Sequence, residues 1–292
     1  MTMTRRAFVR RAAAGLAAAA AVPTVRAASV VLPAPEPGEK FHIGMAGYTF
    51  RKFTLEDTLK ALQKVDVRLL CIKDFHLPLT CTEAEAAAFH ETCRKYNVTG
   101  YGVGPIYMVG EAEVDAAFDY ARRVGVKLIV GVPCKLADKR RVEDTALLRH
   151  VERRVREYDM RYAIHNHGPD NLPYPTAGEI MKLIGDLDPR IGICLDIGHN
   201  LRSGACPIEE LLRYRDRIHD IHLKDVTAAS KEGKTVEVGR GIIDIPKFVR
   251  ALREAGYAGS CSLEFEKDAD DPVAGVAESI GYFRGVLRAT RA

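Results

Sequence analysis

Short apolar runs alternate with amphipathic stretches along most of this chain. The β-rich runs begin near "HIGMAGY", "VRLLCI", "VTGYGV", "VKLIVGV", "MRYAIHNH", "IGICLDI", "IHDIHLKD" and "GSCSLEF". Between them lie helical patterns such as "LEDTLKALQKV", "EAEAAAFHETCRKY", "EVDAAFDYARRVG" and "IPKFVRALREAGY". The repeat of roughly 25 to 40 residues suits a strand–helix unit. Eight such units with no break in composition predict an α/β fold, a single (β/α)8 TIM barrel, over residues 41–292.

Period-2 alternation assigns faces to the later strands. In "GSCSLEFE", Cys261, Leu263 and Phe265 share one face, and Ser260, Ser262, Glu264 and Glu266 share the other. In "IGICLDI", Gly192, Cys194 and Asp196 oppose the isoleucines and Leu195; in "IHDIHLKD", Asp220, His222 and Lys224 alternate with Ile221 and Leu223. The stretch "YAIHNHGPD" puts His165 and His167 on one face of a strand end, with Asn166 on the other. A barrel interior is normally apolar, so acids and histidines inside it need partners or a ligand. His165, Asp196, His222 and Glu264 fall at the carboxyl ends of four consecutive strands, where barrels carry their chemistry. Two imidazoles and two carboxylates make a mixed N/O site for a divalent transition metal.

The first segment stands apart. "TRRAFVR" (4–10) precedes "AAAGLAAAAAV" and then "PTVRA", a run too short to span a bilayer as an ordinary helix. It resembles a twin-arginine export signal with a small-residue cleavage site after Ala27, which predicts residues 1–27 as a signal peptide and a periplasmic or otherwise exported product. A Pro-rich linker covers 28–40. The formal net charge of +4 on 292 residues is partly in Arg5, Arg6, Arg10 and Arg11, and no basic stripe follows, so nucleic-acid binding finds no support. No cysteine lies near the cleavage point to carry a lipid, and no stable membrane anchor is expected. The seven cysteines have neither zinc-knuckle nor disulfide-framework spacing; Cys71, Cys194 and Cys261 read as small core residues.

The stretches "LDIGHN" (195–200), "IHLKD" (221–225), "VGRGIIDIPKFVRALREAGYAG" (238–259) and "SLEFE" (262–266) resemble the xylose-isomerase-like TIM-barrel family of sugar phosphate isomerases and epimerases. The resemblance implies Asp196, His222 and Glu264 as metal ligands on strands six, seven and eight. The strand-five ligand is commonly Glu, in a pattern like "ENHG"; here that place is His165, standing in for a carboxylate, with His167 facing the substrate. The family chemistry is proton abstraction next to a carbonyl through a metal-stabilised enediolate.

The leading expectation is therefore a metal-dependent sugar isomerase or epimerase, with Mn, Zn, Co or Fe as the divalent cation. Glu264 is the first acid/base candidate, His167 and His199 the second, and Lys224 a source of positive charge. Tyr48 after strand one, and Lys73 and His76 in "CIKDFHLPL", are candidate substrate-binding residues. Epimerases of this family use two glutamates on opposite faces of the sugar carbon, and His165 removes one of them. Two alternatives follow: a lyase or hydratase acting on a 3-keto-sugar or keto-glycoside, and a non-catalytic sugar-binding barrel. The partner expected is a small sugar, and a homo-oligomer is compatible with the sequence. "VGRG" alone is poor support for phosphate binding.

Overall fold

The computed structural model describes residues 30–138, 140–169 and 173–291; the expected signal peptide lies outside them. Eight parallel strands form the barrel: β1 His42–Ala46, β2 Leu69–Ile72, β3 Thr99–Met108, β4 Leu128–Ala137, β5 Arg161–His165, β6 Ile191–Asp196, β7 Ile218–Leu223 and β8 Ser260–Leu263. Pairing of β3 with β4, Val103 opposite Ile129, and of β8 with β1, Ser260 opposite His42, closes the ring. The expected barrel is present, and each predicted apolar run contributes one strand.

The helices form for reasons visible in their first turns. Thr54 caps α1 (Leu55–Lys64) by accepting from Asp57 N, and Thr82 and Glu85 make a reciprocal capping box on α2 (Glu83–Lys95). Asp144 caps α4 (Thr145–Tyr158), which follows α3 (Glu111–Val124) in the chain. The helices α5 (Ala177–Ile184), α6 (Ile197–Arg202) and α7 (Pro207–Arg213) flank β6 in sequence. In α8 (Ile245–Glu254), Ile245, Phe248, Val249 and Leu252 are buried at helical spacing. The last helix, α9 (Val273–Ala289), buries Val276, Ile280, Phe283 and Leu287. Among the described residues, no helix is long and apolar enough to cross a membrane.

Two hydrophobic zones result. The large one lies between strands and helices; the small one, Leu69, Cys71, Tyr101, Val130, Ala163 and Cys194, fills the barrel itself. Asp220 and Ser262 join that interior layer, where Tyr101 donates to Asp220 at 3.0 Å and lies 2.6 Å from Ser262 Oγ. All seven cysteines are free thiols, six of them buried.

Two features were not expected. An antiparallel strand, Arg140–Glu143, folds back on the end of β4 and makes an arm beyond the barrel. After β7, the buried Asp225 carboxylate accepts from the backbone N–H groups of Val226, Gly239, Gly241 and Ile243 at 2.9–3.2 Å. A Cβ at Gly241 would strike that carboxylate, so the "VGRG" glycine serves a close approach within the chain.

Candidate metal centre

The upward-facing residues of β5 to β8 meet at the carboxyl end of the barrel. His165 Nε2 lies 2.9 Å from His222 Nδ1, 3.8 Å from Asp196 Oδ2 and 3.7 Å from Glu264 Oε2. His222 Nδ1 is 3.2 Å from Glu264 Oε2. One ligand atom from each of the four falls within 4.8 Å of all the others, and all four side chains are buried. The alternation read from sequence holds at every one of them.

Two of the four ligands are held from behind. Asn166, on the opposite face from the histidines, donates to Asp196 O at 3.1 Å and accepts from Asp196 N at 2.8 Å, locking β5 to β6 at the site. Asp196 Oδ1 accepts from His199 N at 2.7 Å and so caps α6, leaving Oδ2 turned to the cluster. His165 Nδ1 is 3.4 Å from His167 Nδ1, and His167 Nε2 is 2.8 Å from the Tyr107 hydroxyl. If Nε2 of His165 takes a metal, its Nδ1 carries the proton and His167 accepts it, a chain that fixes both tautomers.

Lys224 is the counterweight. It is 1% exposed, and its Nζ lies 2.9 Å from Asp196 Oδ2, 2.9 Å from Glu264 Oε2, 3.2 Å from Glu266 Oε2 and 3.1 Å from His199 Nε2. Gly198, in the first turn of α6, admits the lysine stem: a Cβ there would sit 2.8 Å from its Cγ. Lys224, expected as a source of positive charge, is surrounded by three carboxylates.

Burial works against every charge here, and the neighbours decide which charges survive. It pushes the Asp196 carboxyl up to about 6, against the pull of Lys224. Burial also disfavours the Glu264 carboxylate, but Lys224 and His222 outweigh it and hold its pKa well below the usual range. The Lys224 ammonium, although buried, is held well above its ordinary value by Asp196, Glu264 and Glu266. Burial takes His167 down to about 4 and drives His165 and His199 well below 6.5, so all three are neutral imidazoles. His222 differs: burial lowers it, but Glu264, Asp220 and Asp196 raise it further.

These residues fit a divalent cation. Three carboxylates, that of Glu266 partly exposed, face one ammonium, and two imidazole nitrogens converge on the same point. His165 Nε2 and His222 Nδ1 lie 2.9 Å apart, with Asp196 Oδ2 and Glu264 Oε2 within 3.8 Å of the first. Such a charge and donor set suits Zn, Mn, Co or Fe better than Mg.

The other predicted residues are placed less centrally. Tyr48, half-buried in the turn after β1, carries the Arg51 guanidinium 5.0 Å above its ring. Lys73 Nζ bonds Asp74 at 2.7 Å and Pro105 O at 2.9 Å. His76 is buried with Nε2 3.1 Å from Thr58 Oγ1 on α1. Lys73 and His76 thus each have a partner within the chain. His199 lies between Lys224 and Arg202 Nη1, the latter 3.3 Å from its Nδ1, so cationic donors face both nitrogens. Sequence reasoning missed Tyr107, Glu266 and Arg141. The Gly104–Pro105 pair interrupts the strand pattern and conceals the second half of β3, which carries Tyr107.

The family model described as "Xylose isomerase-like TIM barrel" matches residues 67–286, and the chain belongs to that family. Among curated proteins, it is 33% identical over 131 residues to an inosose dehydratase of Lacticaseibacillus casei, covering 39% of this chain and 43% of that protein. The chain thus spans less than half the length of that relative. Among solved structures, a xylose isomerase domain protein from Alicyclobacillus acidocaldarius superposes with a TM-score of 0.67 at 18% identity, covering 86% of this chain and 99% of the other. The IOLI protein with a bound zinc atom gives 0.67 at 16% identity over 86% and 99%. At these identities the structural likeness is one of fold.

Proposed function

We propose that this protein is a divalent-metal-dependent lyase that removes water from a keto-sugar or keto-cyclitol. This replaces isomerisation or epimerisation as the leading reading. The observation that carries it is one glutamate where the two-base scheme needs two: Glu264 holds the strand-eight place, and His165 holds the strand-five place 3.7 Å from it. Elimination needs no more than one base. Epimerisation by two carboxylates needs a second on the opposite face of the carbon, and His165 Nε2 is turned into the cluster. The dehydratase name of the curated relative points the same way.

His165, Asp196, His222 and Glu264 would hold the metal. The metal, when bound, supplies Lewis-acid polarisation of the substrate carbonyl, which acidifies the neighbouring C–H. Glu264 Oε2 faces Lys224 and His222, while Oε1 makes no hydrogen bond among the described residues. We assign Oε1 the proton of the carbon next to the carbonyl. That electron pair forms the C=C bond as the hydroxyl on the next carbon leaves, and the proton on Glu264 departs with it as water. Lys224 keeps Glu264 ionised between turnovers, and the neutral His167, backed by Tyr107, orients His165.

The test is a screen of keto-cyclitols and keto-sugars with zinc- or manganese-loaded protein. Growth of an ultraviolet-absorbing enone, absent in Glu264→Gln, is the expected result. Solvent deuterium entering the substrate without loss of water would return the isomerase reading. Binding of sugar with neither exchange nor enone would leave only a binding barrel.

We also propose that residues 1–27 direct export by the twin-arginine route. Replacing Arg5 and Arg6 with lysine is expected to retain the protein in the cytoplasm, and unchanged export counts against it.

A further inference from the structure

Just outside the metal cluster stands the arm made by the end of β4 and the strand Arg140–Glu143. Leu136 pairs directly with Arg141 across it, and directly opposed residues share a face. Leu136 is 60% exposed. The Arg141 guanidinium lies 4.7 Å above the Tyr107 ring, itself partly exposed. From there the line runs inward: Tyr107 to His167 Nε2 at 2.8 Å, and His167 Nδ1 to His165 Nδ1 at 3.4 Å. One continuous set of side chains therefore connects an exposed guanidinium to a candidate metal ligand.

Arg141 differs from the arginines nearby in sequence. On α4, Arg149, Arg153, Arg154 and Arg156 each have a carboxylate partner at 2.5–3.2 Å. Arg141 has none among the described residues; its neighbours are the Tyr107 face and the buried Cys134 thiol. A guanidinium flat on an aromatic ring keeps its donor fork oriented and its charge unbalanced, an arrangement suited to a carboxylate or phosphate. With Leu136 on the same face, the arm offers an apolar surface beside a cation.

We propose that Arg141 is a specificity residue of this site. It receives an anionic group, carboxylate or phosphate, carried by the substrate at the end remote from its carbonyl. The inference rests on the keto-sugar reading above and narrows it to acidic keto-sugars. A sugar held by its carbonyl at the cluster and lying along His167 and Tyr107 brings its far end to the guanidinium.

The test measures binding, separately from turnover. Zinc-loaded full-length protein is titrated by calorimetry with D-fructose, D-fructuronate and D-fructose 6-phosphate, which share a keto-sugar and differ at the far carbon. At least one anion is expected to bind about tenfold more tightly than fructose, the preference a charge-assisted hydrogen bond supplies. The tighter of the two names the group. Arg141→Gln should abolish the preference without changing fructose binding, and Arg141→Lys should retain most of it. The proposal is overturned if the three sugars bind alike, immeasurably weak binding of all three included. It is equally overturned if the preference survives Arg141→Gln, or if that variant weakens fructose as much as the anions. Enone formation from a neutral keto-sugar with no anion preference would sink this inference and leave the lyase reading standing.

Discussion

Two layers of the same barrel, one residue pair apart on the same strands, handle buried polarity in opposite ways. The lower layer holds Ala163, Cys194, Asp220 and Ser262; the upper holds His165, Asp196, His222 and Glu264. Below, a buried acid is settled within the protein. Burial lifts the Asp220 carboxyl to about 7, Tyr101 donates to it, and Ser262 sits on the same hydroxyl. Above, carboxylates outnumber the one ammonium, and two ring nitrogens point at each other. A layer that closes on itself is structural; a layer left with charge and lone pairs is built for a ligand.

A crossed pair of substitutions would break this contrast most sharply. His222→Ala removes a candidate ligand and should weaken zinc binding by at least ~100-fold, beyond what losing a ligand's supporting partner does. Its metal-free stability should fall as well, because a fully buried ring and its 3.2 Å contact with Glu264 are lost, so zinc affinity is the readout that separates the pair. Tyr101→Phe should leave the metal site intact. It strips the Asp220 carboxyl of its hydroxyl donor and should destabilise the protein by ~1–3 kcal/mol, with zinc affinity unchanged. Zinc titration and denaturant unfolding of both variants check the pair. If Tyr101→Phe lowers zinc affinity as much as His222→Ala does, the two layers are not separate.

Lys224 sharpens the comparison, since it belongs to the upper layer yet serves as its internal cation. Removing one partner of a buried ion pair costs ~3–5 kcal/mol. Lys224→Met should therefore lower the unfolding free energy by about that amount in chelator, because Asp196 and Glu264 are left facing each other. With zinc bound the deficit should shrink, as the metal supplies the missing positive charge. An equal loss with and without zinc would mean that the lysine stem, packed on Gly198, matters more than its ammonium.

How much of this was legible in the sequence depends on the kind of contact. Period 2 places Asp196, His222 and Glu264 inside the barrel without any knowledge of partners, and the order of strands makes them neighbours. The same counting correctly puts Lys224 inside but cannot say what it touches, because the distance to Glu266 or His199 depends on how strand ends and α6 meet. His76 shows a different limit: a histidine in the loop after β2 reads as a candidate substrate contact, and the pattern gives no sign of its partner Thr58 on the preceding helix. Arg141 was invisible for a third reason. Its strand pairs only with the end of β4, and nothing in "CKLADKRRVED" announces a turn that aims a guanidinium at Tyr107.

The last and smallest effect separates histidines that serve the site from one that serves the fold. His76 is 8% exposed, and burial lowers its pKa from 6.5 to about 4. Because the folded value lies below the unfolded one, the unfolded chain takes up the proton first as pH falls. The stability that His76 contributes is complete above about 6.5 and is lost progressively as pH drops toward 4. Over that window its share of the slope is at most ~1.4 kcal/mol per pH unit. His76→Gln keeps a polar partner for Thr58 without the titration, so its unfolding free energy should fall less steeply between those pH values. Metal-loaded protein should show the same flattening, since His76 is bonded to α1 and is not one of the four clustered ligands. Identical pH slopes for wild type and His76→Gln would show that His76 is protonated in the folded chain, and would remove it from the acid response.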